Sequence, residues 1–229
     1  MKKQYKALFF DLDRTLLDFS ASEKKGLHTI FAAHHIPFTD EMLSYYLQEN
    51  EKLWSAYEKG EIAKDTIFQK RFPKLVSHFG LCLNGLELEA AYRKTLENGF
   101  DMIDGALELV QTLYKKYELY VVTNGLQSTQ YKRLHATGLA PYFQKVFVSE
   151  EIGYQKPNKS YFDYCFHALP HLSPKDVLII GDSLSSDILG GNLYGIDTCL
   201  MNAEHLPNNT NILPLYEIHH LFELYDILS

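Results

Sequence analysis

Cysteine is scarce. The 229 residues hold three, Cys82, Cys165 and Cys199, scattered along the chain. An odd number without metal-ligand spacing fits reduced thiols and excludes both a disulfide framework and a thiolate metal centre. Long apolar runs are missing too, since no stretch approaches the ~20 residues that span a bilayer. Positive charge is never concentrated: the net charge is -7 and no block of lysine and arginine occurs. Nucleic acid polymers and anionic membranes reward clustered cations, so neither is expected as a partner. A phosphate-bearing ligand would need cations placed locally. The opening MKKQYKALFFDLD begins like a secretory signal, but Asp11 ends the apolar run early and no small-residue cleavage site follows, so the chain reads as a cytoplasmic protein. Internal repeats and low-complexity tracts are also missing.

Short, β-rich, continuously apolar runs are present: residues 6–10 (KALFF), 118–123 (ELYVVT), 145–149 (KVFVS), 176–181 (DVLIIG) and 197–201 (DTCLM). Continuous runs of this kind suit parallel strands buried on both faces. Between the later ones lie segments that suit crossover helices, LQSTQYKRLHATG, KSYFDYCFHAL and LSSDILGGNLYG. The alternation predicts an α/β fold with a doubly wound, Rossmann-like parallel sheet. The tail YEIHHLFELYDIL reads as a last short strand and a closing helix.

More than a hundred residues separate Phe10 from Glu118, and nearly all of them read as helical. An inserted helical bundle is the economical explanation. Ser20-x-x-Glu23 resembles a capping box that opens a helix through about His35, and Thr39 with Asp40 can cap the next, EMLSYYLQENEKLWSAYEKG. A third helix is expected from about Ala63 to Phe79, interrupted at Pro73, and a fourth over LELEAAYRKTLEN. The segment DGALELVQTLYKKY then returns the chain to the sheet. The expected division is a core of residues 1–17 and 98–229 with a cap of residues 18–97.

Four polar stretches fall where strands end: FFDLDRT, VVTNG, GYQKPNKS and IIGDSLSSDILGG. Ligands of open α/β sheets bind at the carboxyl ends of strands, where strand order reverses. Taken singly each stretch is ambiguous. Asp13 alone suits a turn, Thr123-Asn124-Gly125 a helix-capping turn, Lys156-Pro157 a solvated loop, and Asp182 with Asp187 a turn and a first-turn helix charge. His34-His35 and His219-His220 lack a matching carboxylate or cysteine pattern and read as structural. Phe19, Tyr45, Tyr46, Trp54 and Tyr57 could line a pocket for a ring, but their helical spacing favours core packing.

In this order on this kind of sheet, the four stretches resemble the motifs of the haloacid dehalogenase (HAD) superfamily of phosphohydrolases, and the resemblance covers essentially the whole chain. D-L-D-R-T matches its DxDxT motif, which implies Asp11 as nucleophile and Asp13 as general acid and base. A carboxylate can attack phosphorus to form an aspartyl-phosphate, and a second carboxyl two residues on can serve the same ligand. The resemblance implies Thr123 and the amide of Asn124 as phosphate-binding groups, with Gly125 allowing close approach, and Lys156 as a cation beside nucleophile and phosphate. It also implies Mg²⁺ held by Asp11, the backbone carbonyl of Asp13, and Asp182, with Asp187 a ligand through water or an orienting neighbour. Like charges so close would repel by roughly 4 kcal/mol per pair at an effective dielectric near 20, which itself calls for a cation. Arg14 either pairs with a nearby carboxylate or touches substrate.

The overall pattern, including DxDxTLxDF, VVTNG and GDSLSSDILGG with Asn192, is most similar to the pyrimidine 5'-nucleotidase subgroup. That implies a Mg²⁺-dependent phosphatase acting on small phosphomonoesters, foremost nucleoside monophosphates, as a monomer or homodimer, with the cap closing to exclude water. Asp13 disfavours dehalogenation, which has no phosphoryl leaving group to protonate. A phosphomutase of the β-phosphoglucomutase kind, or a sugar phosphatase, keeps the same motifs. A phosphorylatable receiver module shares the residue types but not their order or the helical insert.

Overall fold

The computed structural model describes residues 3–229. Its chain divides into two compact units, one formed by residues up to Phe19 with Phe100–Ser229, the other by Ser20–Gly99.

In the first unit six strands make one sheet: β1 (Ala7–Phe10), β2 (Glu118–Thr123), β3 (Lys145–Val148), β4 (Val177–Gly181), β5 (Asp197–Met201) and β6 (Tyr216–Ile218). Every pairing is parallel, and the order is β3-β2-β1-β4-β5-β6. The expected strands thus form, trimmed by a residue at some ends. Ser149, for example, opens a short helix instead of extending β3. This is the Rossmann-type order and not the 2-1-3-4-5 of receiver modules, and it places the reversal between β1 and β4.

Alternation along β1 divides the core in two. Leu8 and Phe10 join a cluster with Leu109, Val110, Val121 and Ile180, whereas Ala7 and Phe9 join Tyr120, Val122, Phe147, Phe162 and Ile179 on the other face. Successive side chains of a strand point to opposite faces, so a four-residue run that is apolar throughout belongs in the middle of a covered sheet. Helices cover it.

The second unit consists of four helices, α1 (Phe19–Ala32, beginning on the last residue of the first unit), α2 (Asp40–Glu58), α3 (Lys64–His78) and α4 (Gly85–Leu96). Thr39 caps α2, its hydroxyl accepting the Met42 N–H at 3.2 Å, and the Asn84 side chain caps α4. Three expectations need correction. Ser20 and Glu23 do not form a capping box, because α1 already starts at Phe19 and Glu23 turns inward to accept from Asn50 and Tyr92. The helix ends at Ala32 and not near His35, which adopts a left-handed conformation (φ 57°) beyond it. Pro73 does not interrupt α3. Phe72 and Leu75 on either side are wholly buried, and that packing outweighs the ~3 kcal/mol that a proline costs a helix interior.

Each helix contributes to one buried polar network. Arg71 of α3 donates to both carboxylate oxygens of Glu89 on α4, at 2.6 and 2.8 Å, and to Asn50 of α2 at 3.1 Å. Asn50 in turn donates to Glu23 of α1, which also accepts from Tyr92. The Arg71 guanidinium lies over the rings of Phe68, Phe72 and Tyr92. Tyr46 and Tyr57 are buried in this unit, Tyr45 stacks on His78, and Trp54 meets Tyr57 edge-on.

The first unit is completed by α5 (Ala106–Leu113), α6 (Gln127–Ala136), α7 (Ser149–Ile152), α8 (Lys159–Ala168), α9 (Leu189–Tyr194) and α10 (Leu224–Leu228). The segment expected as one helix after β4 begins instead with a π-turn over Leu184–Ile188. Of the paired histidines, His219 donates from Nδ1 to the Asn202 carbonyl at 2.7 Å and stacks on His205.

Removing one partner of a buried ion pair strands the other charge. Glu89→Ala should therefore destabilise the helical unit by roughly 3–5 kcal/mol, whereas the double replacement Arg71→Met/Glu89→Leu should recover most of that loss. Urea unfolding followed by fluorescence of Trp54, the single tryptophan, measures both. A loss under about 1 kcal/mol for Glu89→Ala would mean the network contributes little.

Candidate active site

Asp11 follows β1 directly, and its backbone N–H continues the sheet by donating to the Ile180 carbonyl at 2.9 Å. Lys156 comes from the loop between α7 and α8. Its ammonium is buried and donates to Asp11 Oδ1 at 2.7 Å, Asp187 Oδ1 at 2.6 Å and the Val122 carbonyl at 2.7 Å. An ammonium has three protons, and each has an acceptor here. The loop is fixed by Asn124, whose side chain accepts the Lys156 N–H at 2.9 Å and donates to the Lys156 carbonyl at 3.0 Å. Asn124 thus has a positioning task that the sequence reading did not assign.

Asp182 follows β4 and is half-buried, whereas Asp187, inside the π-turn, is fully buried. The other oxygen of Asp187 accepts the Ser183 N–H at 3.2 Å. Gly181 makes this geometry feasible: a Cβ there would lie 2.2 Å from the Asp187 carboxylate carbon. Asp11, Asp182 and Asp187 each offer one oxygen, all within 4.8 Å of one another.

Lys156 bonds two of these three carboxylates, and Asp11 and Asp182 hold protons more tightly than ordinary aspartates. Burial pushes the Asp11 carboxyl well above its ordinary range against the pull of Lys156, with Asp187, Asp182 and Asp13 adding to the rise. Burial and Asp187 push Asp182 up to about 7, opposed by Arg14 and Lys156. Burial alone would lower Lys156, but Asp11 and Asp187 hold it above its ordinary value. A clustered set of hard oxygen donors short of positive charge fits a divalent cation.

Asp13 lies outside that cluster by its side chain. Its two oxygens accept from Arg133 Nη1 at 2.5 Å and Gln130 Nε2 at 2.7 Å, both on α6. The sequence reading missed Gln130 and Arg133. Their signal was a glutamine and an arginine one helical turn apart, on the same buried side of α6 as Leu134. Thr123 is buried, and its hydroxyl accepts from Gln130 at 3.0 Å and from the Gly125 N–H at 3.1 Å. Arg14 is exposed, adopts a left-handed backbone (φ 59°) and sets its guanidinium over the Phe19 ring. Its field reaches Asp182, so it belongs electrostatically with the carboxylates. Phe19 also packs under Arg133 rather than in the helical unit.

A family model for haloacid dehalogenase-like hydrolases matches residues 8–201. The chain belongs to this family. YfnB of Bacillus subtilis (strain 168), named as a HAD-hydrolase, is 47% identical over 227 residues, covering 99% of this chain and 97% of YfnB. A crystal structure of YfnB bound to magnesium superposes with a TM-score of 0.94, covering 99% of this chain and 100% of that one. The pyrimidine 5'-nucleotidase PynA of Streptococcus pneumoniae is 38% identical over 226 residues, 98% of this chain and 95% of PynA. The pyrimidine 5'-nucleotidase YjjG of Escherichia coli (strain K12) is 33% identical over 221 residues, 96% of each. The chain is therefore a HAD hydrolase, and the relatives match along both of its units.

A carboxyl pushed up to about 7 would, as a metal ligand, have to exchange its proton for the ion, so Mg²⁺ affinity is expected to rise as pH increases from 6 to 8. Asp182→Asn should weaken Mg²⁺ binding by roughly tenfold or more and flatten that dependence. Isothermal titration calorimetry reads both, and an affinity independent of pH in the wild type would contradict the competition.

Proposed function

We propose that this HAD hydrolase is a Mg²⁺-dependent phosphatase that cleaves small phosphomonoesters, foremost pyrimidine nucleoside 5'-monophosphates, through an aspartyl-phosphate on Asp11. The observation that carries the reading is the Lys156 bridge, which holds a buried Asp11 at a strand end beside Asp182 and Asp187. The naming of PynA and YjjG supports the nucleotide class.

In the first step an Asp11 oxygen forms a bond to phosphorus as the ester P–O bond breaks. The departing oxygen takes a proton from Asp13. Water then attacks the aspartyl-phosphate, Asp13 receives its proton, and the Asp11–phosphorus link breaks to release phosphate. Lys156 keeps Asp11 oriented and offsets its charge throughout. Thr123 and the backbone N–H of Asn124 direct donors toward the transferring oxygens. Asp11 and Asp182, with the carbonyl of Asp13 and with Asp187 beside them, would hold the Mg²⁺, which when bound neutralises charge and polarises the phosphoryl group.

Asp11→Asn should lower phosphate release by roughly three orders of magnitude or more across a panel of nucleoside monophosphates and sugar phosphates. Chelation should silence the wild type. The panel also ranks substrates, with pyrimidine nucleotides expected first. Equal turnover by wild type and Asp11→Asn, or activity undiminished by chelator, would overturn the mechanism, and a preference for sugar phosphates would overturn the substrate assignment.

A further inference from the structure

The carboxylate of Asp13 is held from behind. Arg133 occupies one oxygen and Gln130 the other, so the group can neither rotate about its terminal bond nor swing away without breaking a charge-assisted hydrogen bond. Arg133 is 1% exposed, and Gln130 is equally buried. A guanidinium so fully withdrawn from water needs a carboxylate partner, and Asp13 is bonded to it. Packing fixes the guanidinium as well, since the Phe19 ring lies 5.7 Å from it. Gln130 reaches further, donating also to the hydroxyl of Thr123. One amide therefore sets the spacing between Asp13 and Thr123, which lie 110 positions apart in sequence.

The glycine of VVTNG belongs to the same arrangement. A Cβ on residue 125 would lie 2.1 Å from the Gln130 amide nitrogen, so any side chain there would dislodge Gln130. Each carboxylate oxygen has two lone-pair directions, and one donor per oxygen leaves a second direction open for a leaving group or a water.

We infer that Gln130 and Arg133 are positioning residues for proton transfer, holding the Asp13 carboxyl in register with the phosphate-binding Thr123. The inference rests on the proposed role of Asp13 as proton donor. Misplacing Asp13 slows the first half-reaction, which kcat/KM reports, only where the leaving group needs its proton, whereas hydrolysis of the aspartyl-phosphate is common to every substrate. A nucleoside leaves as a strongly basic alkoxide and needs protonation, whereas p-nitrophenolate leaves unaided.

The test compares uridine 5'-monophosphate with p-nitrophenyl phosphate on single preparations of wild type, Asp13→Asn, Arg133→Met, Arg133→Lys and Gln130→Met. The ratio of the two kcat/KM values on one preparation is independent of the folded fraction and leaves out the shared hydrolysis of the aspartyl-phosphate, so a variant of Arg133 that folds poorly still gives an answer, and Gln130→Met leaves the buried charge pair intact. Arg133→Met should lower kcat/KM for the nucleotide by roughly 10- to 100-fold, with less than about threefold loss in kcat/KM on p-nitrophenyl phosphate. Gln130→Met should act in the same direction but less, Arg133→Lys should recover part of the loss, and Arg133→Met should leave the ratio unchanged in an Asp13→Asn background. Equal losses in kcat/KM on both substrates would overturn the inference and reduce the pair to a structural role. An Asp13→Asn variant whose ratio equals that of the wild type would instead overturn Asp13 as proton donor, and the inference with it.

Discussion

One buried ammonium ties three strand ends together. Lys156 takes acceptors from the residue after β1, from β2 through the Val122 carbonyl, and from the π-turn after β4. Without it Asp11 and Asp187 would face each other with nothing between them, a repulsion of roughly 4 kcal/mol at an effective dielectric near 20. The surrounding structure exists to keep that nitrogen in place. Asn124 clamps the backbone of Lys156 on both sides, and Gly181 leaves the volume that Asp187 needs to reach it.

The two units treat buried charge in opposite ways. In the helical unit Arg71 meets Glu89 in a forked pair, and Asn50, Glu23 and Tyr92 complete a network inside the unit. In the sheet unit three carboxylates cluster around an ammonium bonded to two of them, and burial, with mutual repulsion added, makes Asp11 and Asp182 hold protons more tightly than ordinary aspartates. The first arrangement stabilises a packing. The second stores an electrostatic deficit that a cation and a phosphate can resolve, which is how a binding site differs from a satisfied core.

Much of this was legible in the chain. The runs ALFF, ELYVVT, VLIIG and DTCLM are apolar without alternation because both faces of the sheet are covered, and that pattern survives in the sequence as plain composition. The strand-end motifs were legible because their residue types are unusual after such runs. What stayed hidden depends on partners distant in sequence. Ser20 and Glu23 have the spacing of a capping box, and only the arrival of Asn50 and Tyr92 shows why Glu23 turns inward. Gln130 and Arg133 look like solvent-facing residues of an ordinary helix until Asp13 is placed against them. Pro73 reads as a break because the burial of Phe72 and Leu75 that overrides it is a tertiary effect.

The wide sequence separation of these groups also has a temporal consequence. Asp11 is synthesised 145 positions before Lys156, and Asp187 comes later still. Domains assemble during synthesis as their parts emerge. The constellation from Asp11 to Asp187 spans 177 residues of chain, and it is complete only once all of them have been made. Its repelling carboxylates are brought together only when the lysine that reconciles two of them is already made.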